Sequence, residues 1–389
     1  MRVLKIVNSE DGGGIFTCEA QFIDKLKKKN VVVDAVILGQ GDKLAQYQYM
    51  CNTTWVIPAF NASYSGSPVT IIRAIVASRK YGTVQAAALA RQIKDRKYDA
   101  IIYQRPTYIH LAGKLAQLLG TVSLWHLPNT INSSFSKKYY NYYCSKYNIV
   151  QVANSIYTKN TLGKQCQYVV YPGFESERVT NGEPTYRAKL GLDENVPVYG
   201  MASRIFKDKA QDIVVEAFVN SSIPAAGGHL LVAGGPLDTE FARMIKEKAG
   251  VLLNQQVHFL GETRNMPDFY ASVDVIINGR RNAEPFGISV AEAMGAAKPV
   301  MAYYLGGPSE MLVQDENGWL IQEPTVDAYK HAFDASLASR NKWATMGENA
   351  QVRAERFSVE SNVDKLIDII SKQRSKTVTA KKADGLQQV

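Results

Sequence analysis

Two glutamates with seven residues between them, Glu284 and Glu292, bound the segment EPFGISVAE. An apolar run at residues 273–278 precedes them, and a helical pattern starts near Ile288. The first amides of a helix lack intrahelical acceptors and lie at the positive end of its dipole, so Gly287, Ile288 and Ser289 form a ready anion site suited to a phosphate. Gly287 lets a ligand come close to the backbone without meeting a Cβ. Glu292, one helical turn further on, is placed to accept two hydrogen bonds from a ribose diol, and Glu284, ahead of the helix, to face the hydroxyls of a sugar. A solvated helix face is the plain alternative for Glu292, but its neighbours Val290, Ala291, Ala293 and Met294 are apolar or small.

A second pair of groups fits the same ligand. Arg204 follows a predicted strand at 198–202, and Lys209 stands at the start of the next helical pattern, with Gln211 and Asp212 after it. A guanidinium forks to two phosphate oxygens and an ammonium acts as a point charge, so the pair suits a diphosphate. Cations at a helix start oppose its dipole, and an anion would offset them. Near the N-terminus, Asp11-Gly12-Gly13-Gly14 joins a predicted strand to a helix. A dinucleotide GxGxxG run from Gly12 would need glycine where Thr17 stands, so hydride chemistry is not implied. His126 closes the apolar run VSLWH, and Arg105 follows a predicted strand at 100–103. Both stand where strand ends would carry ligand contacts, although a structural histidine and a surface ion pair explain them equally.

The elements that must position these residues alternate. Strand, helix and strand are predicted at 3–8, 16–28 and 31–38, followed by a long polar and aromatic stretch to residue 68. Helices are predicted at 68–80 and 83–95, then strands at 100–103, 122–126 and 149–153. After a polar linker at 180–184, strands at 198–202, 229–233, 257–260, 273–278 and 300–303 alternate with helices. Such alternation implies parallel, doubly wound sheets. At 389 residues the chain fits two domains of this kind, taking about 150 residues for each.

Several classes are excluded. No apolar run approaches the roughly 18 residues that span a bilayer, and MRVLKIVNSEDGGG lacks the features of a secretory leader. Cys18, Cys51, Cys144 and Cys166 show no CxxC spacing, which argues against zinc and against a disulfide framework. A reduced, cytoplasmic location follows as the expectation, and the N-x-S/T triplets at Asn52, Asn61, Asn132 and Asn220 are read as chance. The net charge of +9 suits anionic partners, but the basic residues trace no groove-tracking stripe, so nucleic acid is not expected.

Glu284 and Glu292, followed by AMGAAKPVMA and GGPSE, resemble the signature of family 4 of the retaining GT-B glycosyltransferases, the Glu-x7-Glu type of bacterial group 1 enzymes. The resemblance implies an α/β protein of GT-B architecture: two Rossmann-like, doubly wound parallel-sheet domains facing a central cleft. Residues 1–178 would take the acceptor and 179–357 the nucleotide-sugar donor. A helix at 358–372 would return to the first domain, with a disordered tail at 373–389. Arg204, Lys209, Glu284 and His126 take catalytic roles in this reading. Gly13, Gly14, Gly287, Ile288, Ser289 and Glu292 would bind the donor, Gly234, Thr263 and Met266 the nucleobase, and Arg105 the acceptor. Two positions depart from the family: Ala210 where glycine commonly follows the lysine, and Leu127 where glycine or aspartate follows the histidine.

The implied activity moves a hexose or related sugar from a UDP- or GDP-linked donor to a carbohydrate or polyprenyl-linked acceptor in cell-surface polysaccharide or glycoconjugate synthesis. Configuration at the anomeric carbon would be retained. No Asp-x-Asp pair occurs in the chain, so neither a metal nor any other cofactor is expected. The alternatives are a GT-B-fold sugar-nucleotide epimerase and a non-catalytic sugar-nucleotide binding protein. Residues 67–97 mix Ile71, Ile72, Ile75 and Val76 with seven basic residues, a pattern that suits peripheral contact with an anionic membrane, on the inner face of the plasma membrane, as well as it suits a packed helix with solvated bases.

Overall fold

The computed structural model describes residues 1–60, 66–263 and 265–386. The chain forms two compact units, one built from Met1–Pro172 together with the chain from Val359 onward, the other from Gly173–Ser358. The boundary falls earlier than residue 178 because Phe174 packs on Gly295 of the second unit, so closely that a Cβ at Gly295 would lie 2.1 Å from its ring.

The first domain carries seven parallel strands: β1 (Arg2–Asn8), β2 (Val32–Leu38), β3 (Thr54–Ile57), β4 (Ala100–Tyr103), β5 (Val122–Leu127), β6 (Ile149–Ala153) and β7 (Tyr168–Val169), in the spatial order β3-β2-β1-β4-β5-β6-β7. Their side chains alternate between two cores, as period-2 geometry requires. Leu4, Ile6, Ile101, Tyr103 and Trp125 meet the helices Pro68–Ile93, Ile109–Leu119 and Ser134–Tyr147. Val3, Val7, Ile102, Val122 and Leu124 meet Gly13–Lys28 and the last helix, Val359–Leu386, through Phe22, Ile23, Val363, Leu366 and Ile370.

Three features of this domain differ from the sequence-based reading. The stretch to residue 68 contains a helix, Leu44–Met50, and the edge strand β3; Asn61 lies outside the described residues. The two helices expected at 68–80 and 83–95 are one. Gly82, which reads as a break, sits inside it, where a Cβ would come within 2.7 Å of the Leu111 amide nitrogen, so its absence lets Pro68–Ile93 press onto Ile109–Leu119. The last helix does not stop at 372 but runs through Leu386, across a segment rich in lysine and alanine, good helix formers; residues 387–389 lie outside the description.

The second domain has six parallel strands, β8 (Val198–Ala202), β9 (His229–Ala233), β10 (Val257–Gly261), β11 (Val275–Asn278), β12 (Val300–Tyr303) and β13 (Gly318–Ile321), ordered β10-β9-β8-β11-β12-β13. In each sheet the order reverses beside its first strand, between β1 and β4 and between β8 and β11. Loops leaving such neighbouring strands part to opposite faces and open a crevice at the strand C-termini, where ligands of open α/β sheets bind.

Candidate functional site

The switch point of the second sheet gathers most of the residues singled out above. The loop after β8 carries Arg204 and a 3-10 turn, Lys207–Lys209; the loop after β11 carries Arg280, Arg281 and Glu284 and ends at the helix Ile288–Gly295. Lys209 Nζ lies 3.3 Å from Oε2 of Glu284, and Arg280 Nε lies 3.2 Å from the same oxygen. The three side chains are largely shielded. Burial holds the Lys209 ammonium below its usual pKa, Glu284 acts against that shift, and Arg280 and Arg204 add to it. The group would regain its proton affinity on meeting a polyanion.

Glu284 is fixed through its backbone. Its amide donates to the Leu305 carbonyl at 3.1 Å and its carbonyl accepts from the Gly307 amide at 2.8 Å. Gly306 adopts φ +113°, and a Cβ there would lie 2.1 Å from the Glu284 oxygen. The paired glycines of GGPSE are therefore the seat of the Glu284 loop. On the following helix, Val290 and Ala291 amides both return to the Gly287 carbonyl, and the amides of Ile288 and Ser289 precede any residue that could accept from them within the helix. Asn278, at the end of β11, donates to Ser289 Oγ at 2.9 Å and orients that hydroxyl.

Glu292 points away from bulk water and accepts from the Tyr270 hydroxyl at 3.3 Å. Burial raises its pKa, while Arg178 and that hydroxyl pull it back. Arg204 has an exposed side chain, but its backbone is held on both sides: Ser203 and Ile205 amides donate to Ala233 and Gly235, and Gln211 Nε2 donates to the Arg204 carbonyl at 2.7 Å. Gly234, expected near a base, thus abuts the Arg204 loop, its backbone so near Ser203 that a Cβ would lie 1.9 Å from the carbonyl oxygen. Thr263 bonds the Tyr186 hydroxyl at 2.7 Å, and Met266 opens the helix Met266–Ser272; neither touches the Glu284 cluster in the described contacts.

The first domain holds the remaining candidates. Gly13 begins the helix Gly13–Lys28 at φ +59° with open space above it, and Gly14 is exposed. Arg105, after β4, forks to Asp11, after β1, with Nε 3.0 Å from Oδ1, so the two loops at this switch point are tied by a charge pair. Beside that pair is a small cavity lined by Asp11, Tyr47, Gln104, Arg105 and Tyr108. His126 has a different setting from the cleft edge expected for it. It is 5% exposed, its ring packs on Phe22, and Nε2 donates to the Val170 carbonyl at 2.7 Å. Burial lowers its pKa to about 4, so the imidazole is neutral at physiological pH. The strand's alternation decides this: His126 shares the inward face of Val122 and Leu124.

Arg280, Arg281, Asn278 and Tyr270 escaped the sequence reading. The consecutive arginines after an apolar run and just before Glu284 were the available signal.

Residues 182–353 match the family described as glycosyl transferases group 1. The D-inositol 3-phosphate glycosyltransferase of Gordonia bronchialis is 28% identical over 231 residues, which are 57% of this chain and 50% of that protein. The chain spans about half the length of this and similar curated relatives. The lipopolysaccharide core biosynthesis mannosyltransferase LpsB of Rhizobium meliloti is 26% identical over 335 residues, 78% of this chain and 93% of LpsB. Among solved structures, Anabaena HepE in complex with UDP superposes with a TM-score of 0.79 at 19% identity, covering 96% of this chain and all of that one. The likeness establishes the GT-B fold.

Proposed function

We propose that the protein is a retaining, metal-independent glycosyltransferase that moves a hexose or related sugar from a UDP- or GDP-sugar to a carbohydrate or polyprenyl-linked acceptor during cell-surface polysaccharide synthesis. The observation that carries the reading is the convergence of Lys209, Arg280 and Glu284 beside the helix start at Ile288, with Glu292 one turn along that helix. A polyanion with a diol on one side and a hydroxylated ring on the other satisfies all of these groups. Glu292 takes the ribose diol, the amides of Gly287 to Ser289 with Arg204 and Lys209 take the diphosphate, and Glu284 takes the sugar.

In this mechanism the bond between the anomeric carbon and the diphosphate oxygen breaks. The acceptor hydroxyl attacks from the same face, and its proton passes to the departing phosphate oxygen. The cations stabilise the charge that develops on that phosphate, a task that preorganised groups perform well in a shielded site. We assign the acceptor to the first domain, at the loops tied by Asp11 and Arg105. Relatives named for sugar transfer support the transferase reading over an epimerase or a passive binder.

Thermal-shift screening against a panel of nucleotide sugars tests the reading, followed by anomeric analysis of the product and assays in excess EDTA. A donor that stabilises the protein, with a retained anomer and undiminished turnover in EDTA, is expected. An inverted product or loss of activity in EDTA would overturn the corresponding part.

The acceptor class bears on a second surface, and here too we infer a partner. The helix Pro68–Ile93 contains no acidic residue and buries Ser78, Gly82, Ala86, Leu89 and Ile93 along one stripe. At about 100° per residue, the opposite face presents Val69, Ile72 and Val76, each more than half exposed, among exposed Arg73, Arg79 and Lys80. Apolar contacts ringed by positive charge suit an anionic bilayer. No helix among the described residues is long and apolar enough to cross a membrane, so the contact would be peripheral. Flotation with anionic vesicles and its loss in R73E/R79E/K80E are expected; equal flotation with neutral vesicles, or none with either, would refute it.

A further inference from the structure

The turn that presents Lys209 is held both from within, where the Lys209 amide donates to the Phe206 carbonyl at 2.8 Å, and from outside. It closes through the Ala210 amide donating to the Lys207 carbonyl at 3.1 Å, with Ala210 buried at φ +52°. An alanine in the left-handed region is strained where a glycine would not be. Partners from elsewhere in the chain brace the strained turn, and these come from the residues directly after β11. The Arg281 amide donates to the Asp208 carbonyl at 3.1 Å, its Nε donates to the Lys207 carbonyl at 3.0 Å, and its Nη2 pairs with Asp212 in the first turn of the helix Gln211–Val219. Gly279 completes the seat: a Cβ there would lie 2.6 Å from the Lys209 carbonyl oxygen. One side chain thus grips the turn before Lys209 and the helix after it, and it does so mostly shielded from solvent.

We infer that Arg281 is a positioning residue for Lys209, setting where the ammonium stands relative to Glu284 and to the diphosphate that leaves. Its neighbour Arg280 turns to the Glu284 carboxylate instead, so the two arginines divide the work, one holding the carboxylate and the other the turn that carries the cation. The inference rests on the nucleotide-sugar reading of this site. It explains why this chain supports Ala210 where its resembling family commonly has glycine: the turn is held from outside as well as from within.

A double-mutant cycle tests this. Donor turnover and UDP binding are measured for the wild type, R281A, K209A and the double variant, with melting temperatures alongside. R281A is expected to lower kcat roughly 10- to 100-fold, the scale of a displacement of about 1 Å in a catalytic group, with a smaller change in donor KM. In the K209A background the same substitution is expected to cost less than about twofold, because nothing is left for Arg281 to place. R281K, which keeps a cation for Asp212 but lacks the fork to the Lys207 carbonyl, should fold normally and fall between wild type and R281A. Equal costs in both backgrounds, or normal turnover in R281A, would overturn the positioning role while leaving the activity in place. A wild type that neither binds nor consumes any nucleotide sugar would instead remove the underlying reading and this inference with it.

Discussion

Lys209 and Glu284 are 75 residues apart in the chain, yet Nζ of one lies 3.3 Å from Oε2 of the other. The carboxylate stands between two cations, Lys209 and Arg280, and partly cancels the charge available to a diphosphate. Glu284→Gln should therefore bind UDP as tightly as the wild type or several-fold more tightly, while its transfer rate falls about 100-fold through loss of the sugar contact. Calorimetric titration with UDP and initial-rate assays with the full donor separate the two effects.

Replacing Lys209 with alanine should lower the transfer rate by about two orders of magnitude or more, with the fold intact by circular dichroism. Near-normal turnover would show that the developing charge is stabilised by other groups.

Nucleotide affinity should carry an alkaline limb set by Lys209. Burial keeps its pKa below 10.5 in the free protein, and a bound diphosphate raises it again, so the complex holds more proton than its parts. Affinity is then full below the depressed pKa and falls as pH rises through it, by up to about tenfold per pH unit. Lys209→Arg, whose guanidinium stays charged, should flatten that limb in UDP titrations across the alkaline range.

Gly306→Ala should destabilise the second domain by about 3 kcal/mol, since it adds a positive-φ alanine and a contact of 2.1 Å with the Glu284 carbonyl. Urea unfolding measures the loss, and thermal stabilisation by UDP should weaken in parallel because the Glu284 loop loses its seat.

His126 predicts an acid limb in stability rather than in catalysis. Its folded pKa of about 4 lies below the unfolded value near 6.5. Between those values the unfolded chain takes up a proton that the folded one refuses, so stability falls as pH drops from 6.5 toward 4, by up to about 3 kcal/mol. His110, also lowered to about 4 by burial, adds a similar slope. His229 and His258, also lowered by burial, add to it, so His126→Gln should remove part of this acid sensitivity in urea midpoints measured at pH 7 and pH 5.

The two sheets were legible because most strands are apolar runs bounded by polar turns, and the helix start at Ile288 was legible because a glycine stands before it and small residues follow. Strands β3 and β7 were not, since β3 is an edge strand with only Ile57 buried and β7 has just two residues. The helix Ser134–Tyr147 has no counterpart in the sequence reading; its buried side is made of Tyr140, Tyr143 and Tyr147, and tyrosines give a weaker apolar signal than aliphatic residues. Arg281 and the burial of His126 were out of reach for a different reason. Both depend on partners in other elements, Lys207 and Asp212 in one case and Phe22 and Val170 in the other, and no local spacing encodes them.

The last helix, Val359–Leu386, supplies Val363, Leu366 and Ile370 to the core it shares with the helix Gly13–Lys28 and β5. These residues leave the ribosome only after the whole second domain has been made. A nascent chain can therefore complete the β8–β13 sheet while one face of the earlier sheet still lacks its cover. The domain begun first finishes last, and until then the apolar residues of Gly13–Lys28 and β5 that this helix covers stay open to solvent.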